Sequence, residues 1–366
     1  MSAGLYVHVP FCLTRCGYCD FNAYAGLDHL ASRYARALVR EASLASPDWS
    51  NERFVSVFLG GGTPTTLEAS DLASLLQTLR DRFDNADDAE VTIEANPDTV
   101  DRSRLSALLE AGYTRLSMGA QSFDRSVLAT LERIHSPDAV HRAFADARAA
   151  GYRNVNLDLI YGAEGETLAS WERTLRETIA LDPEHVSAYA LTIEPATPLG
   201  RKVAAGAVGA PDPDLQADMF GVACELLGEA GYEHYEVSNW AKPGFACRHN
   251  LGYWERRPYL GLGAGAHSYR AGRRWWNVRP PDEYLRTVEA GRLPIGGEEL
   301  LDPGSAHLEA VFLKLRILEG VPASTVDHET ADRFLQGGLL IRRNGSLVPT
   351  ERGLLLLNEL VLALTG

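Results

Sequence analysis

Three cysteines near the start of the chain are the residues best suited to chemistry. Cys12, Cys16 and Cys19 are spaced C-x3-C-x2-C within residues 6–24. Three thiolates on one loop can converge on one inorganic centre, but they are one ligand short of a closed four-ligand site. A 4Fe-4S cluster held by three cysteines leaves one iron open to a small molecule. The alternative is a zinc site completed by His8 or Asp20, although the sequence has no second, separate C-x2-C pair.

The overall composition restricts the partners. The chain has 366 residues and a formal net charge of -14, which argues against nucleic acid or an anionic membrane as a partner because either would need a basic face. We find no signal peptide and no apolar run of spanning length. Five cysteines, three of them clustered, fit a reducing compartment. We therefore expect a cytoplasmic protein.

Short apolar runs alternate with longer helical patterns, which is typical of parallel strands joined by crossover helices. The strands are predicted at residues 5–9, 55–59, 91–94, 115–118, 154–159 and 185–191. The helices between them are predicted at residues 30–44, 67–83, 102–111, 137–150 and 168–180. A doubly wound open sheet would give the same pattern as a partial barrel, so periodicity leaves both open.

Polar residues and glycines follow the predicted strands. The run 60–64 (GGGTP) follows the second strand, and Glu94, Gln121 and Asp158 lie at the ends of the next three. Ligands of parallel barrels bind at the carboxyl ends of strands. Each of these residues alone could simply cap a helix. Together they predict a polar shell suited to a ribose, a carboxylate and an adenine.

The cysteine loop after a first strand resembles the signature of the radical S-adenosylmethionine (radical SAM) superfamily. The resemblance implies an α/β fold with a partial (β/α)6 TIM-like barrel. It also implies that Cys12, Cys16 and Cys19 hold a 4Fe-4S cluster whose open iron binds SAM, which one-electron reduction cleaves to a deoxyadenosyl radical. The glycine run resembles the superfamily's GGE-type motif, with Thr63 in place of the acid.

Similarity to the oxygen-independent coproporphyrinogen III oxidase group implies two sets of SAM contacts. The set around the cluster-bound SAM comprises Tyr6, Gly61 and Glu94 together with the cysteines. The positions that match a second SAM are Tyr18, Gly62, Thr63, Gln121, Arg133, Asp158 and Thr192. Whether one or two SAM molecules bind is left open.

A later segment, residues 235–254, is too polar and aromatic for a plain core strand. It ends in H-N-x-x-Y-W at residues 249–254, and without other context His249 is a satisfied histidine beside a buried tryptophan. The segment closely resembles the HemW family of haem chaperones, in which this motif is associated with haem binding. The resemblance makes His249 the first candidate for a haem ligand. Cys247 is the second candidate and His267 the third.

The C-terminal residues have a different sequence pattern from the alternating strands and helices before them. Helical patterns at 305–318 and 323–335 precede a hairpin of strands 339–342 and 346–348 around Asn344-Gly345, and then a terminal helix. This order suggests a small winged-helix-like α+β domain. The acidic chain and the few basic residues in this part favour packing or a protein partner over DNA. We divide the chain into a barrel (1–200), an extension carrying the H-N-x-x-Y-W motif (201–299) and the C-terminal domain (300–366).

The resemblance as a whole implies a haem chaperone on a radical SAM scaffold, with a 4Fe-4S cluster, SAM and haem, which delivers haem to an unidentified haemoprotein. The alternative is an oxygen-independent coproporphyrinogen III oxidase. Those oxidases carry a fourth cysteine where this chain has Phe21, and an N-terminal extension that we expect to be missing here. Radical chemistry on another substrate is a third possibility. Catalytic turnover, a homodimer, a covalent haem bond and peripheral membrane contact through the acceptor are left open.

Overall fold

The computed structural model describes residues 2–365, and its first half alternates strands and helices. The strands are β1 (Ser2–Val9), β2 (Phe11–Cys12), β3 (Tyr24–Ala25), β4 (Arg53–Gly61), β5 (Asp84–Ala95), β6 (Arg115–Gln121), β7 (Val155–Tyr161) and β8 (His185–Ala190). The helices are α1 (Ala31–Ala45), α2 (Ala69–Arg82), α3 (Arg102–Ala111), α4 (Arg125–Thr130), α5 (Pro137–Ala150), α6 (Leu168–Leu181) and α7 (Pro198–Ala204). Each strand and helix predicted in this half is present, with ends within three residues of the prediction, except that β5 begins at Asp84 rather than at residue 91.

The strand order decides between the two architectures that periodicity left open. β1, β4, β5, β6, β7 and β8 are parallel and lie side by side in chain order. A doubly wound sheet reverses its order at a switch point, whereas this sheet does not. The predicted partial (β/α)6 barrel is therefore confirmed. The carboxyl ends of all six strands meet at one rim of the barrel.

The same sheet continues at both edges with residues from the middle of the chain. The strands here are β9 (Glu233–Glu236), β10 (Asn239–Ala241), β11 (Tyr259–Leu262), β12 (His267–Arg270), β13 (Arg273–Asn277) and β14 (Ile295–Leu300). The helices are α8 (Pro213–Glu229), α9 (Arg248–Trp254) and α10 (Pro281–Glu289). The full order of twelve strands is β14-β13-β12-β11-β1-β4-β5-β6-β7-β8-β10-β9.

The edge at β1 is extended differently from the edge at β8. β11 is parallel to β1, and β12, β13 and β14 follow it antiparallel. β10 and β9 add antiparallel strands beside β8. Helix α9, which carries the H-N-x-x-Y-W motif, packs against β4 and β1. The motif therefore belongs to the barrel itself.

The C-terminal residues form a unit with its own apolar core. Its elements are α11 (Pro303–Lys314), β15 (Val321–Pro322), α12 (His328–Gln336), β16 (Leu340–Arg343), β17 (Ser346–Pro349), α13 (Glu351–Leu355) and α14 (Leu357–Thr365). The predicted hairpin turn is present, with positive φ at Asn344 and Gly345 as a type I′ turn requires. Four helices and a three-stranded sheet give the expected winged-helix-like unit. Among residues 2–365, no helix has the length and apolarity needed to cross a bilayer.

Candidate functional site

The cysteine loop lies at the carboxyl end of β1. Cys12 ends β2, and the Cys19 N–H donates to the Cys16 carbonyl at 3.2 Å, which closes the turn between those two residues. The Thr63 hydroxyl donates to the Cys12 sulfur at 3.7 Å. The Arg133 guanidinium donates to the Cys16 sulfur at 3.4 Å. Two of the three sulfurs thus have a hydrogen-bond donor from another loop.

Asn96 connects those two donors. Its side-chain N–H donates to the Thr63 hydroxyl at 2.9 Å, and its side-chain oxygen accepts from Arg133 at 2.6 Å. Arg133 also donates to the Gly119 carbonyl at 3.2 Å. A continuous chain of hydrogen bonds therefore runs from one cysteine to another across the loops after β4, β5 and α4. Asn96 was not among the site residues predicted from the sequence.

The surroundings of the three loop cysteines suit thiolates that bind a metal centre. Burial raises the pKa of Cys12 and Cys19, and the neighbouring cysteines raise the pKa of Cys12 further. Donors placed on cysteine sulfurs stabilise thiolates once a metal centre has replaced their protons. The residues present thus fit a centre held by this loop. In the part of the chain that is described, no three His, Cys, Asp or Glu side chains are arranged around a single metal ion.

The glycine run after β4 has a packing role. Gly61 has φ 109, and a Cβ there would lie 2.3 Å from the ring of His8. Its N–H donates to a Glu94 carboxyl oxygen at 3.1 Å. The Gly62 N–H donates to the Val9 carbonyl at 2.8 Å. The run holds β1 close to β4 and joins the cysteine loop to the barrel interior through Glu94.

Below the loop, the barrel encloses an interior cavity of about 170 Å³. Four of the predicted site residues line it, namely Tyr6, Glu94, Asp158 and His249. The other lining residues are Phe58, Arg115, Ser117, Asn156, Ser187, Tyr189, Asn250 and Tyr253. They come from β1, β4, β5, β6, β7, β8 and α9, so the fold converges on this cavity from most of the chain.

The two acids of the interior cavity are protonated more easily than usual. Burial raises the pKa of Glu94 to about 8, and the nearby Asp158 carboxylate adds to the shift. Burial also raises the pKa of Asp158, which accepts hydrogen bonds from Ser117 at 3.1 Å and Asn156 at 2.8 Å. Arg115, which is 2% exposed, supplies a buried positive charge nearby. The cavity can therefore accept a cationic ligand by ionising Glu94.

Sequence reasoning missed Arg115, Ser117, Asn156 and Ser187, although a signal existed. Arg115 and Ser117 alternate with apolar residues along β6, as Asn156 and Asp158 do along β7. Side chains two apart on a strand face the same side of a sheet. The register pairs Ser117 with Asn156, so these polar positions lie side by side. Alternation on neighbouring strands thus indicates a polar barrel interior.

His249 lines this cavity, but neither of its ring nitrogens is free to bind a ligand. It is 3% exposed, and its ring is stacked on Phe58 with centroids 5.1 Å apart. Hydrogen bonds link Nδ1 to the Ser56 hydroxyl and Nε2 to the Tyr253 hydroxyl, each at 2.9 Å. Burial lowers the pKa of His249 to about 3. The histidine is neutral, and both nitrogens are already occupied.

Cys247, the second candidate for a haem ligand, is also buried and hydrogen-bonded. Cys247 is fully buried, and its thiol donates to a Glu90 carboxylate oxygen at 3.3 Å. Burial raises the pKa of Cys247 to about 12. His267, the third candidate, is exposed on β12.

Of the seven residues predicted to contact a second SAM, only Asp158 lines the interior cavity. The other six, Tyr18, Gly62, Thr63, Gln121, Arg133 and Thr192, lie outside its lining. Tyr18 lies beside Arg133, and each affects the other's pKa. Gln121 ends β6 with φ 64, a strained conformation for a residue other than glycine. Thr192 is exposed, and its hydroxyl donates to the Ala190 carbonyl at 3.5 Å.

Comparison with known proteins gives consistent matches. The model of the radical SAM superfamily matches residues 6–178. The chain is 44% identical to the heme chaperone HemW of Mycobacterium tuberculosis, covering 99% of this chain and 95% of that protein. It is 35% identical to the heme chaperone HemW of Escherichia coli, covering 98% and 96%. Among solved structures, E. coli coproporphyrinogen III oxidase (HemN), described as a radical SAM enzyme, has a TM-score of 0.84 at 24% identity, covering 99% and 89%, which establishes the fold alone.

Proposed function

Because the chain belongs to the HemW family of the radical SAM superfamily, we propose that it is a haem chaperone that binds haem and delivers it to a haemoprotein. The observation that carries the proposal is 44% identity to a heme chaperone over 99% of the chain. The match includes the H-N-x-x-Y-W helix and the C-terminal unit as well as the cysteine loop. The five cysteines are free, which suits a reducing cytoplasm.

We propose that Cys12, Cys16 and Cys19 hold a 4Fe-4S cluster. When bound, such a cluster offers one open iron and a source of single electrons. The hydrogen bonds from Thr63 and Arg133 to the sulfurs support this assignment, because they orient the thiolates and disperse their charge. Phe21, at the position of the oxidases' fourth cysteine, is 69% exposed and supplies no ligand.

We propose that SAM binds between this loop and the interior cavity. Tyr6, Gly61 and Glu94 would contact a cluster-bound SAM, and the buried carboxyl of Glu94 supports this because SAM carries a sulfonium and an ammonium charge. A second SAM would use Tyr18, Gly62, Thr63, Gln121, Arg133, Asp158 and Thr192. The strained backbone of Gln121 supports a ligand role, since such strain is concentrated at functional sites.

The test is an anaerobic haem titration of the cluster-reconstituted protein, followed in the Soret band. The loaded protein is then mixed with an apo-haemoprotein that has a distinct Soret maximum. Saturable binding followed by transfer is expected. The control is haem mixed with the acceptor alone, which shows whether the chaperone changes the rate of loading.

If the parent protein binds no haem, the proposal fails. The same sample then receives coproporphyrinogen III, SAM and a reductant. A porphyrinogen product that depends on SAM would support the oxidase alternative instead.

A further inference from the structure

The interior cavity does not provide room for the haem. Its volume of about 170 Å³ is below the ~300–1,000 Å³ range of small-molecule sites. Both His249 nitrogens and the Cys247 thiol are engaged in hydrogen bonds. A haem that used either residue would therefore require the barrel floor to open.

A larger pocket opens beside the barrel, between the end of the cysteine loop and the sheet extension β11–β13. We call it the lateral pocket, and its volume is about 570 Å³. It shares Tyr6 and Tyr253 with the interior cavity, so the two are neighbours. Two histidines, His8 and His267, line the lateral pocket.

Only one of these two histidines has ring nitrogens that are free to bind a ligand. His8 is 6% exposed, and hydrogen bonds join its ring nitrogens to the Tyr6 hydroxyl and the Asn22 carbonyl, each at 2.9 Å. His267 is exposed, and its ring nitrogens make no hydrogen bond with any residue in the described range 2–365. Partial burial of the ring and the charges of Arg274 and Arg279 lower the pKa of His267, so its imidazole is neutral near pH 7. A neutral, unbonded imidazole is a normal axial ligand of haem iron.

The His267 ring is held in place by an aromatic neighbour. Trp276 lies opposite it on β13, with ring centroids 5.7 Å apart and planes at 29°. The indole in turn lies against Gly297 of β14, where a Cβ would come within 2.5 Å of it. The imidazole thus projects from a fixed stack into the lateral pocket.

The rim of the lateral pocket supplies the other chemistry that a haem needs. Phe21 is 69% exposed and adds an apolar ring to the lining of the pocket. Arg279 is exposed, and its guanidinium has no carboxylate partner among residues 2–365. A porphyrin offers an apolar face to the first and a propionate to the second.

From these contacts we infer that the haem cargo binds in the lateral pocket, with His267 as an axial ligand and Arg279 paired to a propionate. The inference rests on the proposed function and adds the location and the ligand. It replaces His249 with His267 in the role that the motif suggested. His249 then acts by positioning Tyr253, which borders both cavities.

The experiment compares anaerobic haem titrations of the parent, His267→Ala and His249→Ala, with the exposed His328→Ala as a control outside the pocket. We expect His267→Ala to weaken binding by about tenfold or more and to lose the parent's ligand-field spectrum. Free imidazole should restore that spectrum in His267→Ala and leave the parent unchanged. A histidine that only packs would show no such rescue.

The Arg279→Ala variant tests the contact with the propionate separately from the contacts with the porphyrin ring. We expect weaker binding of haem but unchanged binding of haem dimethyl ester, which has no propionate charge. His267→Gln provides a second variant at the ligand position in case His267→Ala fails to fold.

The outcomes distinguish the two proposals. Absence of haem binding in the parent overturns the chaperone function and the lateral pocket together. Binding in the parent that survives His267→Ala and His267→Gln, with no effect of imidazole, overturns the lateral pocket alone. Loss of binding in His249→Ala only would return the ligand role to the motif histidine.

Discussion

At the scale of single residues, the barrel interior holds its titratable groups in neutral form. Burial raises the pKa of Glu94 to about 8 and that of Cys247 to about 12, and it lowers the pKa of His249 to about 3. Charged forms are disfavoured because these side chains are shielded from water. The buried guanidinium of Arg115 is the main fixed charge nearby. The carboxyl of Glu94 can ionise when a cationic ligand binds in the cavity.

This state of Glu94 predicts a pH dependence of stability for the protein without cofactors. A carboxyl whose pKa is about 8 when folded and near 4.5 when unfolded stabilises the fold below pH 4.5, and that stability is lost as the pH rises toward 8. Between pH 6 and 9, we expect the free energy of unfolding of the parent to fall by about 2–3 kcal/mol more than that of Glu94→Gln. Urea unfolding at both pH values measures the difference. The exposed Glu68→Gln should follow the parent, and an equal fall in Glu94→Gln would contradict the raised pKa.

The cysteines give a second prediction at this scale. Changing Cys12, Cys16 or Cys19 to serine should abolish the iron–sulfur absorption and lower the iron content from about four atoms per chain to nearly zero. Cys224→Ser is the matched control, since Cys224 lies among apolar residues on α8 and should keep the cluster. Iron analysis after anaerobic reconstitution makes the comparison. A cluster that survives in Cys19→Ser but is lost in Cys224→Ser would refute the assignment.

At the scale of elements, a buried carboxylate ties the sheet extension to the barrel. Glu41 of α1 accepts hydrogen bonds from the Tyr284 hydroxyl of α10 at 2.6 Å, from Asn277 at 2.6 Å and from the Gly263 N–H at 2.7 Å. Burial raises its pKa to about 7. The three donors fix the position of β11–β13, and hence of the wall that bears His267.

We predict that Glu41→Gln destabilises the protein. The amide has one acceptor oxygen, so its NH2 group must face a donor that loses its partner. The expected loss is about 1–3 kcal/mol in the free energy of unfolding at pH 8. Glu289→Gln is the matched control, because Glu289 pairs with Arg33 across the same two helices but in solvent, and it should change the stability little. Equal effects of the two changes in urea unfolding would show that the buried contacts do not hold the extension.

The elements that sequence reasoning located are those whose signal is local. The strands that contain Glu94 and Asp158 are apolar runs with helices after them, and both were predicted, although β5 begins at Asp84 rather than at residue 91. β11 has only four residues, one of them glycine, and pairs with β1 from more than 200 residues away. Its pairing depends on a non-local contact that no window of sequence contains.

The site residues likewise divide into those that local sequence could predict and those that depend on non-local contacts. The spacing of the cysteines predicted their shared loop, and strand ends predicted that Glu94 and Asp158 would meet. The sequence allowed His249 to be either a satisfied histidine or a haem ligand. Residue type could not decide between the two, since the hydrogen bonds of the ring depend on partners such as Ser56 that come from distant strands. The H-N-x-x-Y-W motif therefore located an element correctly, and the state of its histidine came only from the fold.

At the scale of the whole molecule, the C-terminal unit is docked on the motif helix. Arg316 places its guanidinium over the Trp254 ring, 4.7 Å from the centroid. Val237 and the segment around Arg316 also share a backbone hydrogen bond of 3.1 Å. Glu309 of α11 pairs with Arg274 of β13 at 2.5 Å and with Arg256 at 3.4 Å. The unit is therefore connected both to the motif and to the sheet that forms the lateral pocket.

The Glu309 contacts predict how firmly this unit is held. Arg274 and Glu309 are 28% and 19% exposed, so Glu309→Gln leaves two arginines without their partly buried partner, at a cost of about 1–3 kcal/mol. The docked state should loosen, and the end of β14 at Leu300, which is 78% exposed and precedes α11, should be cut faster by a protease. Glu299→Gln is the matched control, because Glu299 pairs with the same Arg274 at 2.7 Å but is 46% exposed. Limited proteolysis of the three proteins measures the rates, and if Glu309→Gln is cut no faster than Glu299→Gln, the unit is held by its apolar contacts and by Arg316 rather than by this ion pair.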